Sequence, residues 1–101
     1  MAFYSVLAVT PTSGDWGEAY VKETLPILRE YGGRYLARTG SHEQLEGTEA
    51  SAALRILIEW PSRDAAVGFM NDPGYQPHLD ARTQGSVSEH FLIEGKDDLI
   101  G

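Results

Sequence analysis

The sequence predicts an α+β domain of ferredoxin-like β-α-β-β-α-β order around a four-stranded antiparallel sheet. Three observations lead there. Within residues 53–62, Leu54, Ile56, Ile58 and Trp60 alternate with Ala53, Arg55, Leu57 and Glu59, so one face of that strand is wholly apolar and the other carries charge. Runs rich in β-branched and aromatic residues at 3–10, 34–39 and 86–93 supply three further strands. Apolar residues recur at helical spacing after the first strand and again after the central one. Right-handed crossovers then put both helices on one face of the sheet, against Leu54, Ile56, Ile58 and Trp60.

Taken in order, the first strand ends at Pro11, and Thr12 with Asp15 offers a capping box for the first helix. Trp16, Tyr20, Thr24, Ile27 or Leu28, and Tyr31 form that helix's apolar stripe, with Pro26 expected to kink it or leave a carbonyl unpaired. Gly32-Gly33 ends it. In the second strand Arg34, Leu36 and Arg38 are expected on one face, with Tyr35, Ala37 and Thr39 on the other. Residues 40–51 are polar and turn-rich and read as a long hairpin connection. Ser62 caps a second helix with a stripe of Ala65, Ala66, Phe69 and Met70. Asp72 is expected to cap a short third helix with Pro73 at its first position and Gly85 at its end. The last strand alternates Val87, Phe91 and Ile93 against Ser88, His90 and Leu92, before an acidic tail that Leu99 and Ile100 could dock.

One hundred and one residues make one domain, 1–101. A 42% hydrophobic and 23% charged composition belongs to an ordinary globular protein. No apolar run is long enough to cross a bilayer, and the N-terminus lacks the basic region of a signal peptide. No cysteine is present, so disulfides and thiolate chemistry are excluded and a cytoplasmic address is expected. A net charge of −7 argues against a nucleic-acid partner. The sheet face turned away from the helices would expose Leu36, Leu57 and Leu92 in a monomer. A patch of that size usually marks an interface, which predicts a homodimer with two sheets packed face to face.

Gly32-Gly-Arg-Tyr-Leu-Ala-Arg38, Leu45-Glu-Gly47, Pro61-Ser62 with Ala65-Ala66, and Asn71-Asp-Pro-Gly-Tyr-Gln76 followed by Arg82 together resemble the domain of unknown function 1330 family over most of the chain. The resemblance implies a dimeric α/β barrel. Proteins of that wider fold include cofactor-free monooxygenases, isomerases, haem-degrading enzymes and sensor domains, so no activity follows from it. The chain departs from the family pattern at Thr39, where glycine is common, and at Phe69-Met70, where an aromatic pair is usual.

Three groups of residues are candidates for chemistry. Tyr75, His78 and Arg82 share one helix face by their spacing. They offer a phenol, a titratable imidazole and a fixed cation for an anionic or enolic ligand. The same spacing also fits a plain amphipathic helix with Tyr75 and Leu79 packed and the polar pair solvated. Arg38, Arg55, Glu59 and His90 are expected on the sheet face away from the helices, with His90 and Arg55 about 10 Å apart across two strand spacings. A bridging anion and an ion-pair network between subunits both fit that group. His42 with Glu43 and Glu46 lacks the convergent ligands of a metal site and reads as surface loop.

The leading expectation is a homodimer that binds a small organic anion, aromatic or enol-like, between sheet and helices. Arg38, Arg55, Tyr75 and Arg82 would hold the ligand. If the protein is an enzyme, His78 or His90 would move a proton in cofactor-free isomerisation, lactone handling or oxygenation. No cofactor, metal, nucleic acid or membrane partner is expected. The competing class is a non-catalytic ligand-sensing or dimerisation module, which the lack of a complete acid–base constellation favours.

Overall fold

A computed structural model describes residues 2–100; Met1 and Gly101, within the expected domain span, lie outside the described residues. The element order is β1 (Phe3–Pro11), α1 (Gly17–Glu30), β2 (Arg34–Thr39), β3 (Leu54–Trp60), α2 (Arg63–Asn71), α3 (Gln76–Gln84) and β4 (Ser86–Glu94). The strands form one antiparallel sheet in the order β2-β3-β1-β4. This is the expected ferredoxin-like arrangement with one extra helix, α3. No helix among the described residues is long and apolar enough to cross a membrane.

The apolar face of β3 meets the helices as its alternation requires. Ser5, Leu7 and Val9 of β1 sit opposite Ile58, Ile56 and Leu54, and Trp60, Leu28, Phe69 and Tyr75 complete the buried core. Helix α1 ends in a Schellman motif, with Gly33 N–H donating to Leu28 O and Gly32 N–H to Arg29 O, both at 3.0 Å. Gly32 takes φ +79°, a value that side chains resist. A Cβ on Gly33 would stand 2.6 Å from the Trp60 ring, so the bare backbone there lets the indole seat fully. Pro26 does not break α1; it and Lys22, whose carbonyl it leaves without a donor, are both exposed, so water can take the free acceptor.

Four local expectations are corrected. Thr12 and Asp15 do not cap α1, whose N-cap Trp16 makes no side-chain capping bond. That loop is tied instead to Gly85, whose carbonyl accepts from Thr12 N, Ser13 N and Trp16 Nε1. Asp72 does not cap α3. Its carboxylate accepts from Gly74 N and the Tyr31 hydroxyl, and the helix starts later, so that Pro77 falls in the first turn where its missing N–H costs nothing. The tail is not docked: Leu99 and Ile100 are almost fully exposed.

The fourth correction moves two site residues. β2 carries a register shift between Tyr35 and Ala37, a bulge that opposes an extra residue to β3. Tyr35 pairs with Ile58 and Arg38 with Ile56, so both belong to the helix side rather than to opposite faces. On β4, His90 lies opposite Leu7 and Leu92 opposite Ser5, which likewise turns them toward the helices. Val87, Phe91 and Ile93 therefore point away from the helices and are 69%, 64% and 51% exposed. Of the polar group expected on the open face, Arg55 and Glu59 remain there.

Candidate functional site

The bulge in β2 creates the site. It turns Arg38 to the helix side of the sheet, where the guanidinium sits 4.1 Å from the Tyr35 ring centroid. Together with Trp16 and Tyr20 of the α1 end and Arg82 of α3, these residues line a cavity of about 290 Å³. Its floor is the apolar sheet face: Leu7, Val9, Leu54, Ile56 and Ile58. The volume is at the small end for an organic ligand, on the order of ten to fifteen non-hydrogen atoms.

Arg82 is the unusual group. Its residue is only 4% exposed, and its buried Nε has no hydrogen-bond partner among the described residues. No carboxylate pairs with Arg82 or Arg38 among those residues either. The Tyr20 ring lies 5.9 Å from its guanidinium, a weak offset for a buried charge. Burying an arginine without an acceptor is costly.

Around that cation the phenols are held neutral. Burial pushes the Tyr20 hydroxyl well above its ordinary range, the adjacent Tyr75 adds to the effect, and Arg82 opposes it. Burial also raises Tyr35, with Arg38 pulling the other way. Tyr75, 1% exposed, is joined to Tyr20 through their hydroxyls at 2.6 Å.

His90 faces a second, smaller cavity of about 160 Å³, lined by Ser5, Ala66, Val67, Met70 and Leu92. The buried Ser5 hydroxyl accepts from Trp60 Nε1 at 2.8 Å and meets His90 Nε2 at 2.7 Å. Since Ser5 has one proton and no other partner among the described residues, it donates to Nε2, which places the ring proton on Nδ1. Burial, and then the Arg82 charge, hold the His90 pKa below its ordinary 6.5. As pH falls below 6.5 the unfolded chain takes up this proton before the folded chain does, so stability is expected to decline there. A His90→Gln variant should lose that part of the slope in denaturant unfolding between pH 6.5 and about 5; an unchanged slope would refute the assignment.

The other two candidates lie elsewhere. His78 pairs with Glu23 of α1 at 3.3 Å and is not among the residues lining either cavity. Arg55 is exposed on the open sheet face and donates to Ala50 O at 2.8 Å, while Glu59 pairs with Arg34 at 2.7 Å. The structure thus gathers Arg38, Tyr75 and Arg82, and adds Tyr20, Tyr35 and Trp16. Tyr20 and Trp16 stand in the α1 stripe and read as ordinary core from sequence. Tyr35 carries no sequence signal, because the bulge beside it is set by pairing. No cluster of three or more metal-ligating side chains occurs among the described residues.

The family described as Domain of unknown function (DUF1330) matches residues 2–96. The chain belongs to the DUF1330 family. Solved structures similar to this DUF1330 protein include a protein of unknown function, RPA0582 of Rhodopseudomonas palustris, with TM-score 0.75 and 18% identity over 95% of this chain and 83% of that one. A dimeric ferredoxin-like protein of unknown function from Jannaschia sp. CCS1 aligns with TM-score 0.60 and 13% identity, over 93% of this chain and 99% of that one. SnoaB of Streptomyces nogalater, a cofactor-independent oxygenase, aligns with TM-score 0.56 and 22% identity over 99% of this chain and 96% of that one. At these identities the likeness is one of fold. Among curated proteins, metabotropic glutamate receptor 6 of Rattus norvegicus is 28% identical over 96 residues. Those residues cover 93% of the DUF1330 chain but 11% of the receptor, so the chain spans about a tenth of the curated relatives it matches. Receptor function is not carried over from a segment of that share.

Proposed function

We propose that this protein is a cytoplasmic homodimer that binds one small organic anion, aromatic or enol-like, in the Tyr20–Arg82 cavity of each subunit. The observation that carries this reading is Arg82, a cation 4% exposed whose Nε has no partner among the described residues. An anion would supply the missing acceptor, and apolar walls on the sheet side suit a flat hydrocarbon body. Arg38 at the mouth, exposed and stacked on Tyr35, adds a second positive charge. The cysteine-free composition fits the cytoplasmic address.

Two subunits are supported by the open sheet face. Phe91, Val6, Leu57 and Ala37 are aligned across all four strands, forming an apolar row that a second copy would cover. The dimeric Jannaschia protein of similar fold adds support.

If turnover occurs, cofactor-free isomerisation, lactone handling or oxygenation suits the donor set. The fold shared with a cofactor-independent oxygenase is in keeping with that, and His90, held neutral, is able to accept a proton. One observation favours the alternative of a non-catalytic binding module: His90 opens on the smaller cavity, while the larger one is lined by neutral phenols and permanent cations. Calorimetric titration with benzoate tests the binding reading. The wild-type protein should bind, and an Arg38→Ala, Arg82→Ala double variant should bind at least about a hundredfold more weakly. Arg38→Ala alone, at an exposed position, should give a several-fold loss without affecting the fold. Equal affinity in all three proteins would contradict the reading.

A further inference from the structure

Resting on the anion-binding reading above, we infer that Tyr20 donates a hydrogen bond to the ligand's negative oxygen beside Arg82, and that the site prefers a planar phenolate or enolate to a carboxylate such as benzoate, which it holds more weakly.

The argument begins with proton counting. Tyr20 and Tyr75 meet through their hydroxyls at 2.6 Å, and each phenol has one proton to give. Tyr75 is 1% exposed and has no other side-chain hydrogen bond among the described residues. Were Tyr20 the donor, the Tyr75 proton would be buried without an acceptor, an arrangement folded proteins avoid. Tyr75 therefore donates to Tyr20. Tyr20 keeps its own proton, and its only hydroxyl partner among the described residues is the one donating to it.

Tyr20 lines the larger cavity, as does Arg82. Two donors of different kinds, a neutral phenol and a guanidinium, thus stand at one end of a space whose floor is hydrocarbon. A chain Tyr75 → Tyr20 → oxyanion strengthens each link by polarisation, and an O–H to O⁻ bond is among the strong ones. Burial keeps Tyr20 protonated and so able to donate. The arrangement resembles an oxyanion hole in its physics: donors preset where negative charge resides.

The ligand class follows from desolvation. A carboxylate concentrates its charge on two strongly hydrated oxygens, and taking it out of water is expensive unless both are well satisfied. A phenolate or enolate spreads its charge over a conjugated plane and asks for donors at one oxygen. The remaining walls suit that plane, with the Trp16 indole edge-on to Tyr20 at 5.7 Å and Leu7, Val9, Ile56 and Ile58 beneath. Tyr75 acts here as a positioning residue, since it reaches the ligand only through Tyr20.

The test uses the full chain and para-nitrophenol, which ionises near neutral pH and absorbs strongly in the visible only as the phenolate. With protein in excess, at a pH about one unit below the ionisation of the free phenol, the bound phenol should be ionised to the extent expected of a pKa lowered by about one unit or more. Tyr20→Phe should remove most of that shift and weaken binding about tenfold; Tyr75→Phe should reduce the shift by less. Circular dichroism melts establish that both variants are folded, and a purely structural role for Tyr20 would leave the absorbance of bound phenol unchanged. If para-nitrophenol binds only in its neutral form, or Tyr20→Phe leaves the shift intact while benzoate still binds, the inference falls and the anion-binding reading stands. If neither compound binds, the anion-binding reading fails and takes the inference with it.

Discussion

Replacing Phe91 by aspartate is expected to leave the protein a monomer at micromolar concentration, with its fold intact. Phe91 is 64% exposed in the single chain and stands opposite Val6 on the open sheet face. Val6 stands opposite Leu57, and Leu57 opposite Ala37, so the apolar row crosses the sheet from edge to edge. Mostly polar rows flank it: Glu89, Arg55 and Thr39 with Ala8 on one side, Tyr4, Glu59 and Arg34 with Ile93 on the other. A two-fold interface through this face would contain Phe91 twice, once from each subunit. Burying one phenylalanine is worth about 1.5–3 kcal/mol. The symmetric pair is therefore worth several kcal/mol, and two buried aspartates would add a desolvation cost. Dimerisation should weaken by roughly three orders of magnitude or more. The substitution touches no core contact on the helix side, so its melting curve extrapolated to the monomer should change little. Sedimentation of wild-type and variant proteins checks this; a variant that still sediments as a dimer would place the interface elsewhere.

Much of this architecture is legible in the chain. The alternation of Leu54, Ile56, Ile58 and Trp60 assigns the two faces of the central strand without further help. Gly32-Gly33 marks the end of α1, and Ser62 caps α2 through Ala65 N at 3.1 Å. The misplaced residues share one cause. A strand's periodicity says which side chains share a face but not which face meets the helices, and a one-residue slip exchanges them all. In β4 the apolar set Val87, Phe91 and Ile93 looks like core, yet pairing with β1 puts His90 and Leu92 on the helix side. In β2 a single extra residue transfers Arg38 from one face to the other. Both displacements involve site residues, His90 in β4 and Arg38 in β2. The cavity forms where Arg38, brought in by the bulge, meets Tyr20 and Arg82, so neither periodicity nor motif spacing could have located it.

The candidate site was legible as residue types and not as geometry. Six arginines in a chain with two lysines and a net charge of −7 suggested that some cations serve a ligand. Burial separates two of them, since Arg55 is exposed and Arg82 is not, while Arg38 is exposed but lines the same cavity as Arg82.

Arg82 also supplies the sharpest consequence. A buried guanidinium whose Nε finds no acceptor among the described residues destabilises the free protein, and an apolar side chain of similar length in its place removes that cost. The Arg82→Met variant is therefore expected to be more stable than wild type in the absence of ligand, by about 1–4 kcal/mol, and to lose anion binding. Function and stability should move in opposite directions at this one position, as at other sites strained for a ligand. The effect should also reverse with ligand: saturating anion stabilises wild type in proportion to its binding and leaves the variant unmoved.

Denaturant unfolding of wild type and Arg82→Met, each with and without benzoate, measures this directly. The account predicts a higher unfolding midpoint for the variant without benzoate and a benzoate-dependent rise only in wild type. A variant less stable than wild type, or one that benzoate stabilises equally, would show that Arg82 serves the fold and not a ligand.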